Sequence, residues 1–218
     1  MDVNMPHKSN ARTFVEPTIF IIDDDDEFRI GIVDLLQSLD KKTRSYGSAR
    51  EFLDDATIDG PGCILLDLRM PGLSGLELQE HLERQGRKLP IIFITGHGDV
   101  PVAVQALKAG ASDFIEKPFR EKVLLDAISV ALARSAEDVK SSSEADEVRA
   151  LVATLTPRER EVMAVVCRGL MNKQIAYELG ISEVTVKIHR GNVMRKMQVR
   201  SVAELIRRTD LISLSEAA

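Results

Sequence analysis

The stretch Gly62-Cys63-Ile64-Leu65-Leu66-Asp67-Leu68-Arg69-Met70-Pro71-Gly72 decides the fold of the first half of this chain. An apolar run ends in a carboxylate, and a Pro-Gly break follows almost at once. This pattern predicts a buried strand that delivers Asp67 to the edge of a sheet, with a turn behind it. An aspartate in that position can be a phosphoryl acceptor, a metal ligand or only a cap of the strand end. The rest of the chain has to decide among these roles.

Short apolar runs alternate with helical patterns on both sides of this strand. Besides the strand that ends at Asp67, the sequence predicts strands over residues 18–22, 43–46, 89–95 and 111–115. Strands and helices that alternate in this way are typical of a parallel, doubly wound α/β sheet. In that fold, ligands bind beyond the carboxyl ends of the strands. The residues that follow the strands are therefore the candidates for a functional site.

Polar side chains stand at four of these strand ends. Asp23 and Asp24 follow the first strand, Asp67 ends the third, Thr95 ends the fourth, and Lys117 comes just after the fifth. Three converging carboxylates would repel each other unless a cation joined them, and their oxygens suit Mg²⁺. Asp67 supplies a carboxylate nucleophile able to form an aspartyl phosphate. Lys117 supplies a positive charge for a phosphoryl oxygen, so the set indicates phosphoryl chemistry.

Four motifs in this part of the chain resemble the receiver domain of two-component response regulators, most closely the FixJ branch. They are Ile22-Asp23-Asp24 and residues 67–75, 95–101 and 114–119. The resemblance covers residues 18–134, which we expect to form the receiver domain, with residues 1–17 as a flexible tail. It implies a flavodoxin-like sheet of five parallel strands in the order 2-1-3-4-5. It also implies a cis peptide bond between Lys117 and Pro118.

The same resemblance assigns a role to each residue of the pocket. It implies that a sensor histidine kinase phosphorylates Asp67. It implies Mg²⁺ (or Mn²⁺) held by Asp24, Asp67 and the backbone carbonyl of Arg69, with Asp23 acting through water. The remaining phosphoryl-binding and switch residues would be Thr95, Lys117 and Phe114. In the expected switch, the phosphoryl group draws Thr95 toward it, and the Phe114 side chain turns inward into the vacated space.

The second part of the chain differs from the first in charge. Residues 1–154 hold 18 basic and 27 acidic residues, a net charge of −9. Residues 155–218 hold the other 11 basic and 7 acidic residues of the chain, a net charge of +4. A basic region that follows an acidic one suggests a polyanionic partner for the C-terminal part. Residues 135–153, which are polar and charged, predict a partly helical linker.

Helical patterns separated by glycine turns fill the basic part. Thr156 and Glu159 predict a capping box at the start of one helix, and Asn172 starts the next. Gly180 and Ser182 then form a tight turn into a third helix with a basic outer face. A helix, a short glycine turn and a basic helix are typical of a helix-turn-helix DNA-binding domain. A small helical bundle with a solvated charged face, or a protein-docking module, would show much of the same pattern.

Three segments of this part resemble the LuxR-type DNA-binding domain found in regulators of the FixJ and NarL type. They are residues 155–159, 172–176 and 185–190, together with Lys196-Met197. The resemblance implies a small all-α domain of four helices over residues 154–218, with the third helix in the major groove. It implies base contacts from Lys187, Ile188 and Gly191, and phosphate contacts from Lys173, Thr185, Arg190, Asn192 and Lys196. The last helix, residues 201–208, would contact a second copy of the chain.

The sequence as a whole predicts a bacterial response regulator that is phosphorylated on Asp67 and then regulates, by expectation activates, transcription. Its expected partners are a sensor histidine kinase, promoter DNA, RNA polymerase and a second copy of itself when phosphorylated. Two distant cysteines and the lack of a membrane-length apolar run favour the cytoplasm and no membrane. We expect no enzyme activity beyond self-catalysed phosphorylation and slow dephosphorylation.

Two alternative functions stay open on the residues alone. The first is a phosphorelay or docking protein without DNA output, against which the basic third helix argues. The second is a phosphohydrolase with an aspartate nucleophile. Enzymes of the haloacid dehalogenase type carry a second acid two residues after the nucleophile, where this chain has Arg69.

Overall fold

The computed structural model describes residues 15–55, 57–58, 60–96 and 100–216, with side chains up to residue 212. The chain divides into two compact units between Glu137 and Asp138. No helix among the described residues has the length and apolar character needed to cross a membrane.

The first unit is a parallel sheet of five strands in the order β2-β1-β3-β4-β5, which confirms the predicted topology. The strands are β1 (Thr18–Ile22), β2 (Lys42–Tyr46), β3 (Gly62–Asp67), β4 (Ile91–Thr95) and β5 (Asp113–Glu116). The helices between and after them are α1 (Asp26–Ser38), α2 (Ala49–Asp55), α3 (Gly75–Arg84), α4 (Val100–Lys108) and α5 (Glu121–Ala153).

Both faces of the sheet are buried, which explains the almost continuous apolar runs of β1, β3 and β4. Successive side chains of a strand point to opposite faces. Ile64 and Leu66 therefore belong to one hydrophobic cluster, with Phe93 and Leu78. Cys63 and Leu65 belong to the other, with Ile92 and Leu36. The two cores hold β3 from both sides, so its carboxyl end is positioned by the whole sheet.

The strand register brings the carboxyl ends of β1, β3 and β4 to one edge. Ile22 pairs with Leu66 across β1 and β3, and Leu66 pairs with Phe93 across β3 and β4. Asp23 and Asp67, each one residue further along its strand, must therefore lie side by side. The alignment follows from the parallel direction of the strands and needs no special loop.

Helix α5 runs without a break through 33 residues. It includes residues 135–153, which the sequence analysis predicts to be a partly helical linker. Neither glycine nor proline occurs between Phe119 and Thr156, so nothing in that stretch stops a helix. The boundary between the two units, after Glu137, thus falls inside α5. Most of residues 135–153 have polar side chains, and most of the side chains there are exposed to solvent.

The second unit holds α6 (Pro157–Cys167), α7 (Asn172–Leu179), α8 (Glu183–Lys196) and α9 (Val202–Glu216). Val162, Ile175, Val186 and Leu205 are each fully buried and give one core residue per helix. Gly180 ends α7 with a φ of 64°, a left-handed conformation that favours glycine. The last helix continues beyond the predicted end at residue 208 because its apolar spacing reaches Leu211 and Ile212, which pack on this core.

A capping box begins α6, and a lysine from α8 completes it. The Thr156 hydroxyl accepts from the Glu159 backbone N–H, and the Glu159 carboxylate accepts from the Thr156 backbone N–H. The same carboxylate lies 2.6 Å from Lys196 Nζ, which also donates to the Thr154 carbonyl at 3.0 Å. The Lys196 and Thr156 donors lower the pKa of the Glu159 carboxyl to about 2. One buried carboxylate therefore joins the start of α6 to the end of α8.

Gly75→Ala should destabilise the first unit. A Cβ at Gly75 would run into the carbonyl oxygen of Asp67 and lie 3.0 Å from Phe93 Cε1. Overpacking of this kind costs about 1–3 kcal/mol. The loss can be measured by urea unfolding followed through Tyr46, a buried tyrosine of this unit. Gly31→Ala is the matched control: it meets nothing within 4 Å in the middle of α1 and should raise stability by about 0.5–1 kcal/mol. Equal stability of the two variants would contradict the packing argument.

Glu159→Gln should flatten the acid dependence of the second unit. A carboxyl whose folded pKa is depressed stabilises the fold above its unfolded pKa, and this contribution is lost as the pH falls through the folded pKa. For Glu159 the window runs from 4.5 down to about 2. We expect the difference in Tm between wild type and variant to be largest at neutral pH and to shrink across that window. Glu161→Gln, which removes an exposed carboxylate on the same helix, is the control. A difference independent of pH would refute the assignment.

Candidate functional site

Three side chains meet at the carboxyl edge of the sheet. Lys117 Nζ lies 2.7 Å from Asp23 Oδ2 and 3.4 Å from Asp67 Oδ1. Asp23 and Asp67 are buried, and Lys117 is half-buried. The structure thus brings together three of the predicted pocket residues, from the ends of β1, β3 and β5.

Backbone contacts fix each member of this trio. The Asp25 N–H donates to Asp23 Oδ1 at 2.9 Å, and the Arg69 N–H donates to Asp67 Oδ2 at 2.7 Å. The Lys117 N–H donates to the Thr95 carbonyl at 2.7 Å, and the Lys117–Pro118 peptide is cis, as the resemblance implies. Each carboxylate therefore has one oxygen held by the backbone and the other beside the ammonium group.

The surroundings of Asp67 raise the pKa of its carboxyl above the ordinary value. Burial raises the pKa of the Asp67 carboxyl, and the neighbouring Asp23 charge raises it further. The Arg69 N–H and the Lys117 ammonium act in the opposite direction on that pKa. Two buried carboxylates share one lysine, so the trio carries a net negative charge. A partner that brings positive charge, or a reaction that uses the carboxylate as a nucleophile, would relieve this excess.

The donor set fits a hard divalent cation. Carboxylate and carbonyl oxygens are the ligands that Mg²⁺ prefers, and Mg²⁺ usually keeps several waters. Asp23 and Asp67 are buried side by side, whereas Asp24, the residue after Asp23, is exposed. Among the described residues, no three His, Cys, Asp or Glu side chains are grouped closely enough to form a protein-only metal site. The pocket can therefore supply only part of a coordination shell, as expected for a cation that keeps water ligands.

The predicted switch residues lie on β4 and β5, and the Thr95 carbonyl accepts from the Lys117 N–H. Thr95 is 2% exposed at the end of β4, and its register partner on β5 is Glu116. Phe114 is half-buried on β5, with its ring centroid 6.5 Å from that of Phe93. The predicted turn after β4 includes residues 97–99, which lie outside the described residues. Thr95 and Phe114 thus occupy neighbouring strands, with Phe114 level with Phe93, two residues before Thr95 on β4.

Phe28 is a pocket residue that the sequence motifs do not single out. Its ring lies over the Lys117 ammonium, with Nζ 3.5 Å from the ring centroid. The only signal in the sequence is an aromatic residue directly after a run of five acids, residues 23–27. That position faces the pocket because Asp25 caps α1 and accepts from the Phe28 N–H at 3.1 Å.

The second unit presents the predicted DNA-contacting residues in two groups. Lys187, Ile188 and Gly191 on α8, and Lys173 on α7, are exposed. Thr185 and Asn192 are half-buried, and the Arg190 guanidinium donates to Asn172 Oδ1 at 2.9 Å. Lys196 is engaged by Glu159, as described above. The first group forms an accessible surface on the helix-turn-helix, whereas Arg190 and Lys196 have partners within the domain.

Comparisons with known proteins extend over both units. Residues 19–129 match the family described as "Response regulator receiver domain". Residues 153–209 match the family described as "Bacterial regulatory proteins, luxR family". Nodulation protein W of Bradyrhizobium diazoefficiens is 46% identical over 197 residues, which cover 90% of this chain and 87% of that protein. The transcriptional regulatory protein FixJ of Azorhizobium caulinodans is 44% identical over 199 residues, which cover 91% of this chain and 94% of that protein.

Solved structures show the same combination of units. The response regulator StyR has a TM-score of 0.80 and 47% identity, covering 90% of this chain and 99% of that one. Full-length FixJ from B. japonicum has a TM-score of 0.56 and 42% identity, covering 92% of this chain and 98% of that one. Both likenesses extend over the receiver-like sheet and the C-terminal helical unit.

Proposed function

Because this chain belongs to the two-component response regulators that join a receiver domain to a LuxR-type DNA-binding domain, we propose that Asp67 is its phosphoacceptor. Phosphorylation of Asp67 would control dimerisation and DNA binding by the C-terminal domain. The observation that carries the proposal is the trio at the sheet edge: a buried Asp67 beside Asp23, with Lys117 Nζ 3.4 Å from Asp67 Oδ1. The donor would be a phosphohistidine on a sensor histidine kinase.

The reaction follows from the positions of the two Asp67 oxygens. Oδ2 is occupied by the Arg69 N–H, so Oδ1 is the oxygen placed for attack beside the lysine. A bond forms from that oxygen to phosphorus, and the bond from phosphorus to the histidine nitrogen breaks, leaving its electron pair on nitrogen. The carboxylate attacks as an anion, so no proton has to be removed from Asp67. Lys117 stays within reach of a phosphoryl oxygen and balances its charge.

A divalent cation would complete the pocket. Asp24, Asp67 and the Arg69 carbonyl would hold it, and Asp23 would act through a water molecule. When bound, Mg²⁺ or Mn²⁺ neutralises phosphoryl charge and aligns the phosphorus with the attacking oxygen. The exposed position of Asp24 is compatible with this arrangement, since part of the coordination shell is left to solvent.

The output step depends on the residues beside the trio. A phosphoryl oxygen on Asp67 is a new acceptor for the Thr95 hydroxyl, and movement of Thr95 leaves room for the Phe114 ring. One added charge thereby biases an element with two packing states. The altered surface of α4, β5 and α5 would support dimerisation, and the dimer would present two DNA-binding domains to promoter DNA and RNA polymerase. The chain itself would be at most a self-phosphorylating and slowly dephosphorylating protein.

The exposed group on α7 and α8 supports DNA as the target of the second unit. Ile188 is 59% exposed on a helix whose buried residues include Val186 and Val193. An apolar side chain held open to solvent beside the exposed Lys187 suits contact with a base edge in the major groove. We therefore propose Lys187, Ile188 and Gly191 as base-contacting residues, and the other predicted residues as phosphate contacts.

Asp67→Asn should abolish phosphorylation by acetyl phosphate, because an amide cannot form the acyl phosphate. Intact-protein mass spectrometry would show one added phosphoryl group on the wild type and none on the variant. Asp34→Asn, an exposed carboxylate on α1, should be labelled like the wild type. Stoichiometric labelling of Asp67→Asn would overturn the assignment.

Lys173→Ala should weaken binding to all DNA sequences and reduce the slope of log K against log salt by about 0.9, because one phosphate contact is lost. Ile188→Ala should instead weaken binding to a selected site by about tenfold and leave non-specific binding unchanged. Fluorescence anisotropy at several salt concentrations would separate the two effects. Arg160→Ala, an exposed cation on α6, serves as the control. Equal losses of Ile188→Ala on selected and random DNA would contradict base contact.

A further inference from the structure

We infer that Phe28 is a positioning residue for phosphorylation: its ring holds the Lys117 ammonium beside Asp67. This inference rests on the proposed phosphorylation of Asp67 and adds a residue to that site. The ring centroid of Phe28 lies 3.5 Å from Lys117 Nζ, well inside the distance of about 6 Å over which a cation and an aromatic face attract each other.

The ring supplies the third partner of the ammonium group. A lysine ammonium has three N–H donors. Two sides of Lys117 Nζ face Asp23 Oδ2 at 2.7 Å and Asp67 Oδ1 at 3.4 Å. The face of Phe28 occupies another side, where water would otherwise solvate the charge. The lysine stem is flexible, so an apolar lid on one side narrows the set of positions that the ammonium can take.

The ring of Phe28 is itself held in place by a second aromatic ring. It packs edge to face on Phe119, with ring centroids 6.0 Å apart and an interplanar angle of 88°. Phe119 follows the cis peptide between Lys117 and Pro118, so both sides of this aromatic pair come from segments that border the pocket. Edge-to-face geometry is a favourable arrangement of two aromatic rings. Phe119 therefore fixes the orientation in which Phe28 faces the lysine.

The first turn of α1 also ties the ring to Asp23. Phe28 donates its N–H to Asp25 Oδ1, the cap of the helix, at 3.1 Å. The next residue, Arg29, donates from Nη1 to the Asp23 carbonyl at 2.6 Å. One helical turn thus sets the backbone of Asp23 and the position of the ring over Lys117. The backbone of Asp23 and the ring over Lys117 are therefore both held by the first turn of α1.

The consequence concerns Asp67, because the two lysine contacts are unequal. The shorter contact, at 2.7 Å, is to Asp23, and the longer one is to Asp67. Without the ring, water can enter beside the ammonium, and the lysine can pivot on its Asp23 contact away from Asp67. The phosphoryl oxygen that arrives at Asp67 would then meet a displaced positive charge. Loss of the ring should therefore slow phosphoryl transfer without removing any group that touches the phosphoryl donor.

The test uses the full-length protein, acetyl phosphate and Mg²⁺. In this reaction an Asp67 oxygen bonds to phosphorus and acetate leaves with the electron pair of the broken bond. Phe28→Leu should lower the rate of labelling about fivefold, since the apolar volume stays but the aromatic face is lost. Phe28→Tyr keeps the face and should restore the rate to within about twofold of wild type. Phe20→Leu, which changes a buried ring of the other core cluster, controls for general loosening.

A second experiment changes the charge on the ring face without changing the packing of the side chain, so a folding defect cannot explain its result. Site-specific replacement of Phe28 by mono-, di- and trifluorinated phenylalanine keeps the ring shape while it weakens the negative charge on its face in steps. The logarithm of the labelling rate should fall in step with fluorination, which a purely structural role would not produce. A flat series would overturn the inference even if Phe28→Leu proved slow.

Spectroscopy separates this inference from the phosphoacceptor proposal. In protein with labelled lysine, protons next to Lys117 Nζ should resonate upfield because they lie over a ring, and this shift should vanish in Phe28→Leu. Ordinary Lys117 shifts in the wild type would overturn the inference whatever the labelling shows. Failure of the wild type to accept a phosphoryl group would remove the phosphoacceptor proposal, and the role of Phe28 in it. Normal labelling of wild type and Phe28→Leu at equal rates would overturn the role of Phe28 alone.

Discussion

The burial of two carboxylates around one ammonium group is the constraint on which the receiver domain depends. Asp23 and Asp67 lie at the ends of adjacent strands, where the register leaves them no freedom to separate. A buried charge is costly unless it is paired and hydrogen-bonded. Lys117 pairs with both, and backbone N–H groups of Asp25 and Arg69 satisfy one oxygen of each carboxylate. The site is stable yet short of positive charge, which suits it to bind a cation and to attack phosphorus.

The rest of the domain serves to hold this arrangement in place. Two hydrophobic cores grip β3 from opposite faces, and Gly75 lets the start of α3 approach the backbone at Asp67. The Lys117 backbone N–H donates to the Thr95 carbonyl, so a hydrogen bond links the residue that carries the cation to the predicted switch residue. A change in charge at Asp67 therefore acts on groups already coupled through short contacts. Such coupling is what a two-state switch requires.

The DNA-binding domain also contains a buried carboxylate that is paired with a lysine. Glu159 is buried, and its partners are the start of its own helix and Lys196 at the end of α8. This contact joins α6 to the end of α8, while Lys187 and Ile188 on the outward face of α8 stay open to solvent. A rigid exposed helix face favours binding to a DNA groove, because a flexible one would have to be ordered on binding and that entropy cost lowers the affinity.

Local pattern determined much of this protein. The ends of β1 and of β3 at Asp67, the capping box at Thr156 and the glycine stop at Gly180 all follow from residue spacing or from steric rules that act over a few positions. The family motifs also pointed to the pocket residues. Tertiary structure alone decided the partners of the charged groups. Lys117 meets an aspartate 94 positions earlier in the sequence, and Lys196 meets a glutamate 37 positions earlier.

Phe28 shows why those partners could not be read in advance. In the sequence, Phe28 fits the apolar face of α1, because it stands four residues before the buried Ile32. Only the way α1 packs beside the sheet edge places its ring over the lysine that follows β5. Secondary structure follows from interactions between neighbours in the chain, whereas the contacts of a long side chain depend on how distant elements pack. The sequence therefore specified where the acids stand, and the fold decided which cation and which ring complete their site.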